Sequence, residues 1–174
     1  KGAFLMRKLS LPVFGLIICI SVVVTRGVAS AETLLERGKY LMSGVVACGN
    51  CHTNNGPWGK PVPGKELSGG HKWDEPPFTV YAANITPDKE TGIGAWTDKQ
   101  LFAAIREGKR PDGSLIGPPM PGGLYAKISD RDLRAIIAYL RQVKPVKNNV
   151  PRGKYRIPLP PAWGPNKSVP EVSR

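Results

Sequence analysis

The residues best suited to chemistry in this sequence are two cysteines and a histidine in the segment CGNCH, residues 48–52. Cys48 and Cys51 are separated by two residues, and His52 follows the second cysteine directly. This pattern is compatible with a redox dithiol, a zinc site, a structural disulfide or the covalent attachment of haem. The residues around the motif distinguish among these four uses.

Three of the four uses fit the surroundings poorly. A thioredoxin-like dithiol belongs at the start of a helix in a β-α-β unit, and here a helix-like segment precedes the motif. A zinc site would have to recruit His71 from a glycine-rich loop, whereas Cys/His zinc sites place their histidines about three to five residues apart. A disulfide between Cys48 and Cys51 suits an exported chain but gives no reason for the adjacent histidine.

The fourth use, covalent haem, explains all three side chains. The C-x-x-C-H spacing is the attachment signal of c-type haem. Thioethers would join Cys48 and Cys51 to the two vinyl groups of the porphyrin, and the imidazole of His52 would then lie under the iron. The sequence therefore predicts one covalently bound haem c, with its iron, held by these three residues.

The other side of the iron needs a methionine, a histidine or no ligand. Met120 lies in IGPPMPGG, where the flanking prolines stiffen the backbone and lower the entropy lost when the side chain is fixed. Met42 falls within a predicted helix, which favours a core residue, and His71 lies in the polar segment SGGHKWDE, which is typical of a solvated loop histidine. We expect His52 and Met120 to be the two metal ligands.

Three helices are predicted to position these residues. Capping patterns place their starts at Thr33, Thr97 and Ser129. Gly108 ends the second helix and Pro145 stops the third, and no segment alternates long enough to predict a sheet. The long Gly/Pro-rich stretch at residues 53–96 is reasonable in a compact domain if it wraps around something other than protein.

With these residues assigned, the chain resembles the cytochrome c family, and in particular single-haem relatives of the cytochrome c subunits of bacterial membrane-associated alcohol and sugar dehydrogenases. The resemblance lies in RGKYLMSGVVACGNCHT (37–53), NITPDKETGIGAWTDKQLFAAIREGKRPDG (84–113), PPMP (118–121) and ISDRDLRAIIAYL (128–140). It implies an all-α cytochrome c fold, in which three to five helices and long Gly/Pro-rich loops wrap around one haem.

The resemblance also implies how the helices and loops are arranged. The first and last helices should cross closely, with Gly38 and Tyr40 on the first and Tyr139 and Leu140 on the last. Trp96 and residues 84–87 should line the haem or hold one of its propionates.

The ends of the chain differ in character from the predicted haem domain at residues 32–146. Residues 1–31 combine a basic start, an apolar run of 14 residues and the small residues ASA. The run is shorter than the roughly 18 residues expected of a membrane-spanning helix, which favours a cleaved signal peptide over an uncleaved anchor and predicts a periplasmic protein. Residues 147–174 form a basic, proline-rich tail that is either disordered or laid along a surface.

The formal net charge of +12 does not indicate a nucleic-acid partner. Residues 32–146 carry 15 Lys and Arg against 12 Asp and Glu, and residues 147–174 carry six against one. A nucleic-acid-binding face would concentrate its charge on the folded domain, among aromatic residues.

The predicted function is electron transport. The protein would carry one electron between a dehydrogenase or other respiratory donor and a terminal acceptor, and would not be an enzyme. Its partners would be a dehydrogenase, an oxidase or another cytochrome, and the N-terminal segment or the basic tail could attach it to a membrane surface. A peroxidase-like enzyme or a ligand-sensing haem protein is the alternative, and either would need an open iron position.

Overall fold

The computed structural model describes residues 31–159, together with Gly2. The predicted signal peptide and the last part of the predicted tail, residues 160–174, therefore lie outside the described residues, apart from Gly2 and Ala31. None of the helices within residues 31–159 has the length and apolar character that crossing a membrane requires.

The first and last helices form the centre of the fold. Helix α1 spans Leu34–Tyr40, and a π-helical turn at Leu41–Val45 continues it. Helix α5 spans Asp130–Gln142 and ends before Pro145, as predicted. Its buried side chains belong to the hydrophobic core, and Leu133, Ile136, Ile137 and Leu140 share one apolar face, while Ala135 is buried on the side that meets α1.

The crossing of α1 over α5 is confirmed at Gly38. A Cβ atom at Gly38 would lie 2.1 Å from the carbonyl oxygen of Ala135 and 2.8 Å from the Cβ of Tyr139, so only glycine fits. Tyr40 is wrong as a crossing residue, since it is 55% exposed. Leu41, the next residue, is buried instead.

The predicted capping boxes of the first two helices are confirmed. Thr33 and Glu36 bond each other's backbone N–H groups at the start of α1. Thr97 does the same with Gln100 at the start of α3, which spans Asp98–Glu107. Gly108 ends α3 in the left-handed conformation, with φ of 66°.

The start of α5 at Ser129 is also confirmed, but its predicted capping box is not completed, because the Asp132 side chain binds Arg37 instead. The hydroxyl of Ser129 accepts a hydrogen bond from the backbone N–H of Asp132, as a capping residue should. The carboxylate of Asp132 accepts from Nε of Arg37 at 2.8 Å, which ties α5 to α1.

Three short helical segments complete the helical part. Helix α2 spans Gly49–His52 and carries the CGNCH motif, a 3-10 turn spans Pro57–Gly59, and α4 spans Gly122–Tyr125.

A small antiparallel sheet corrects the all-α expectation. Strands β1 (Lys72–Glu75), β2 (Phe78–Tyr81) and β3 (Lys154–Tyr155) pair in the order β1-β2-β3. The first two strands form a hairpin inside the long Gly/Pro-rich stretch. Strands of two to four residues are too short to show the alternation by which a strand is predicted.

The described part of the predicted tail lies along the surface of the domain, which is one of the two alternatives given for it. We call residues 146–159 the C-terminal strap. Its backbone is bonded to the segment around residues 84–91, and its strand β3 pairs with β2. The described strap is thus an integral part of the fold.

Candidate functional site

The CGNCH motif forms a single helical turn. Cys48 is the N-cap of α2, and its carbonyl oxygen accepts from the backbone N–H of Cys51 and of His52 at 3.3 and 2.9 Å. Residues three and four apart share one face of a helix. The three residues therefore occupy one side of a single helical turn.

The two cysteines are free thiols, and both are half-buried. Burial, with a smaller contribution from the neighbouring Cys51, raises the pKa of Cys48 to about 11. Reactive dithiols have lowered thiol pKa values, because the thiolate is the nucleophile. A raised thiol pKa does not favour a thioredoxin-like redox function.

The imidazole of His52 is held in one tautomer. Its Nδ1 lies 2.7 Å from the carbonyl oxygen of Ala83, and since a carbonyl can only accept, Nδ1 carries the proton and donates. Nε2 is left with a lone pair. Burial lowers the pKa of His52, which keeps the ring neutral at neutral pH. Metal-binding histidines are held in this way, with one nitrogen donating to a carbonyl and the other free for the metal.

Two loop segments hold the Ala83 carbonyl behind His52. The N–H of Gly69 donates to the carbonyl of His52 at 2.7 Å, and the N–H of Gly70 donates to the carbonyl of Ala82. Gly69 has φ of 75°, and a Cβ there would lie 2.6 Å from the carbonyl oxygen of Ala83. Only glycine allows the two loops to approach so closely. Sequence reasoning missed Ala83, because a backbone acceptor leaves no pattern in residue types.

The backbone just before the motif is irregular. In the π-helical turn, the N–H of Val46 donates to the carbonyl of Leu41 at 2.8 Å, and Ala47 then takes a left-handed conformation with φ of 49°. Such turns and positive φ values at residues other than glycine are concentrated at functional sites. Ala47 redirects the chain from α1 into the motif at Cys48.

The loop that carries Met120 ends beside the motif. Met120 is half-buried, and its carbonyl accepts from Gly122 at the start of α4. The hydroxyl of Tyr125, in the same short helix, donates to the carbonyl of Val46 at 3.1 Å. Burial, with a further contribution from the thiols of Cys48 and Cys51, raises the pKa of Tyr125 to about 12. Tyr125 was also missed, since a lone tyrosine gives no motif.

Comparison with known sequences decides the family. The family model described as "Cytochrome c" matches residues 35–144, which contain the motif, Met120 and both crossing helices.

The chain belongs to the cytochrome c family.

The similar curated proteins are much longer chains. The chain is 38% identical to a nicotinate dehydrogenase subunit of Pseudomonas putida, over 80% of this chain and 11% of that protein. It is 37% identical to the fructose dehydrogenase cytochrome subunit of Gluconobacter japonicus (72% and 24%). It is 35% identical to the cytochrome c subunit of the quinone alcohol dehydrogenase of Gluconobacter oxydans (82% and 32%). The chain thus spans at most about a third of the length of these relatives.

Membership of the cytochrome c family implies a covalently bound haem c with its iron, in a mostly helical fold, and an electron carrier rather than an enzyme. The described residues fit that group. Two thiols and a neutral imidazole lie on one helical turn, and His52 presents Nε2 with its lone pair free. Within residues 31–159, His, Cys, Asp and Glu side chains do not converge in threes to hold a metal ion by themselves.

The two rejected candidates for the sixth ligand lie elsewhere in this cytochrome. Met42 is only 5% exposed and belongs to the core cluster, which confirms it as a core residue. His71 is half-buried against the edge of Trp73 rather than solvated, with 4.4 Å between ring centroids. Its carbonyl accepts from Ala82, next to the carbonyl that binds Nδ1 of His52. The backbone of His71 is therefore bonded to the segment whose Ala83 carbonyl holds Nδ1 of His52.

Asn84 is fully engaged in bonds within the protein. Its Nδ2 donates to the hydroxyl of Thr91 and to the carbonyl of Val146, and its Oδ1 accepts from the N–H and hydroxyl of Thr86. These bonds leave no Asn84 donor for a haem propionate, so the expectation that it holds one is not supported. Trp96 packs against the core cluster.

Proposed function

We propose that this cytochrome carries one electron at a time on one haem, which Cys48 and Cys51 would bind covalently and whose iron His52 and Met120 would hold. The observation that carries the proposal is the hydrogen bond from Nδ1 of His52 to Ala83, which fixes Nε2 as the free nitrogen. Bound haem c supplies a one-electron Fe(III)/Fe(II) couple.

The chain's own residues tune that couple. The carbonyl of Ala83 increases the basicity of the His52 imidazole by accepting its proton in a hydrogen bond. A thioether from Met120 favours the ferrous state and so raises the reduction potential. The core around Leu41, Ile136 and Leu140 is almost fully buried and excludes water.

We propose a dehydrogenase as the electron donor and an oxidase or another cytochrome as the acceptor. The names of the relatives, which are cytochrome subunits of fructose and alcohol dehydrogenases and a subunit of nicotinate dehydrogenase, support a dehydrogenase partner. The apolar run near the N-terminus supports a periplasmic location. The N-terminal segment or the basic residues of the tail would provide any contact with a membrane surface.

Covalent attachment can be tested by organic extraction. The protein produced with a cytochrome maturation system should gain the mass of one haem and retain it in acidified acetone, because thioethers survive that treatment. The double variant Cys48→Ala/Cys51→Ala should lose all its pigment to the solvent. Pigment that is extracted from the unaltered protein, or a mass gain of two haems, would contradict the proposal.

The state of the iron can be tested with carbon monoxide. We expect the reduced protein to be low-spin and unchanged by the gas, and the oxidised protein to show a thioether-to-iron charge-transfer absorption, because Met120 fills the sixth position. His71→Ala is the matched control and should leave both spectra unchanged. High-spin iron that binds carbon monoxide readily would instead favour the peroxidase-like or sensing function.

A further inference from the structure

The C-terminal strap, residues 146–159, begins behind the proposed proximal ligand. The carbonyl of Val146 accepts from Nδ2 of Asn84 at 2.8 Å, and Asn84 directly follows the residue whose carbonyl binds His52. Two residues later, Nδ2 of Asn148 donates to the carbonyl of Ser68 at 2.9 Å. The first residues of the strap therefore brace the two loops that orient His52.

The strap ends against the loop of the proposed distal ligand. The hydroxyl of Tyr155 donates to the carbonyl of Pro118 at 2.9 Å, two residues before Met120. The Tyr155 ring lies directly on Gly117, where a Cβ atom would be only 2.8 Å from Cζ of the ring. Leu159 covers the same glycine, with its Cδ2 2.5 Å from that Cβ position. The strap thus holds the loop by the Tyr155 hydrogen bond and by close packing.

Tyr155 is itself held in place by its neighbours. It lies in β3, opposite Phe78 of β2, with 5.9 Å between the ring centroids. On its N-terminal side, Arg152 bonds Asp112 at 2.7 Å, and on its C-terminal side Nε of Arg156 donates to the carbonyl of Pro76 at 2.7 Å. Burial raises the pKa of Tyr155, so the hydroxyl keeps its proton as a donor.

We propose that Tyr155 is a positioning residue that keeps the Met120 loop closed over the iron. The proposal rests on the assignment of Met120 as the axial ligand. The stretch between Leu115 and Gly122 has no regular secondary structure, so contacts from other segments must fix it. With Met120 holding the iron, an added ligand would have to displace the thioether, and the hydrogen bond from Tyr155 to Pro118 would oppose the movement of the loop that this requires.

The test measures the affinity of the ferric, full-length, haem-loaded protein for imidazole. Binding is detected as the loss of the thioether-to-iron absorption. Tyr155→Phe removes the donor but keeps the ring on Gly117. We expect imidazole to bind roughly two- to tenfold more tightly, which is the effect of losing one hydrogen bond of typical net strength. Tyr81→Phe, in the neighbouring strand β2, is the matched control and should bind imidazole like the unaltered protein.

A second variant approaches the same contact from the loop. Gly117→Ala places a methyl group against the ring of Tyr155 and should increase imidazole affinity in the same direction. The urea midpoint of each variant is measured in parallel, because a merely structural role would lower global stability without a selective change in imidazole binding. Unchanged imidazole affinity in both Tyr155→Phe and Gly117→Ala would overturn the proposal, as would an equal change in Tyr81→Phe.

The failure of this inference can be told apart from the failure of the proposed function. If the thioether-to-iron absorption persists in Met120→Ala, the assignment of Met120 as a ligand is wrong, and the positioning role of Tyr155 is wrong as well. If Met120→Ala loses the absorption while Tyr155→Phe and Gly117→Ala bind imidazole normally, only the positioning role is wrong.

Discussion

Replacing Met120 by alanine is expected to lower the reduction potential by about 0.1–0.3 V, a part of the ~0.8 V range that axial ligands span, and to open the iron to carbon monoxide. Thioether sulphur stabilises the ferrous state, and its loss leaves water or no ligand in the sixth position. Redox titration of the haem-loaded protein, with and without the gas, measures both effects.

The matched control is Met42→Leu, which removes the other thioether of the described domain without changing the apolar character of its site. Met42 is almost fully buried in the core, and replacement of methionine by leucine conserves side-chain volume, so the expected destabilisation is less than about 1.5 kcal/mol. The charge-transfer absorption and the potential should remain. If Met42→Leu rather than Met120→Ala abolished that absorption, the sixth ligand would have to be reassigned.

The comparison of these two methionines shows what sequence reasoning could recognise. Met42 lies within a helical segment, and Met120 lies in a proline-rich loop, so local context alone separated a core residue from a candidate ligand. The capping boxes at Thr33 and Thr97 were equally visible, because a capping box needs only residues three positions apart. Features that depend only on neighbouring residues can therefore be predicted from the sequence.

Two of the features that were missed depend on contacts between distant segments. The acceptor for His52 is a backbone carbonyl at Ala83, and any residue type would supply that atom. Strand β3 forms only because residues near 154 return to β2. The left-handed conformation of Ala47 likewise has no signal in the sequence, since alanine normally avoids it. The acceptor of His52 and strand β3 therefore become visible only in the folded structure.

The strap shows why its composition alone was ambiguous. A basic, proline-rich segment with no periodicity is typical of disorder, yet its polar residues find specific partners in the fold. Asn148 reaches the carbonyl of Ser68, and Arg152 reaches Asp112. Prolines keep such a segment extended, so that it can follow a surface and form bonds at intervals. Part of the excess positive charge of the strap is therefore neutralised by an acidic residue of the domain, Asp112.

Gly38→Ala is expected to destabilise the protein by about 2–4 kcal/mol, at or above the usual range for overpacking. The new methyl group would lie 2.1 Å from the carbonyl oxygen of Ala135 and 2.8 Å from the Cβ of Tyr139. Neither atom can move by rotating a side chain, so α1 and α5 would have to separate. Urea unfolding of the haem-loaded protein, followed by circular dichroism, measures the change in the free energy of unfolding.

Gly44→Ala is the matched control on the same side of the motif. A Cβ atom at Gly44 meets nothing within 4 Å, and alanine is the better helix former by about 1 kcal/mol, so this variant should be neutral or slightly more stable. The two glycines differ mainly in whether α5 lies against them. Equal stability of the two variants would show that the crossing does not depend on close backbone contact. A loss of stability confined to Gly38→Ala would show that the crossing depends on close backbone contact. Because α1 leads through the π-helical turn into Cys48, separation of α1 from α5 should also shift the haem spectrum.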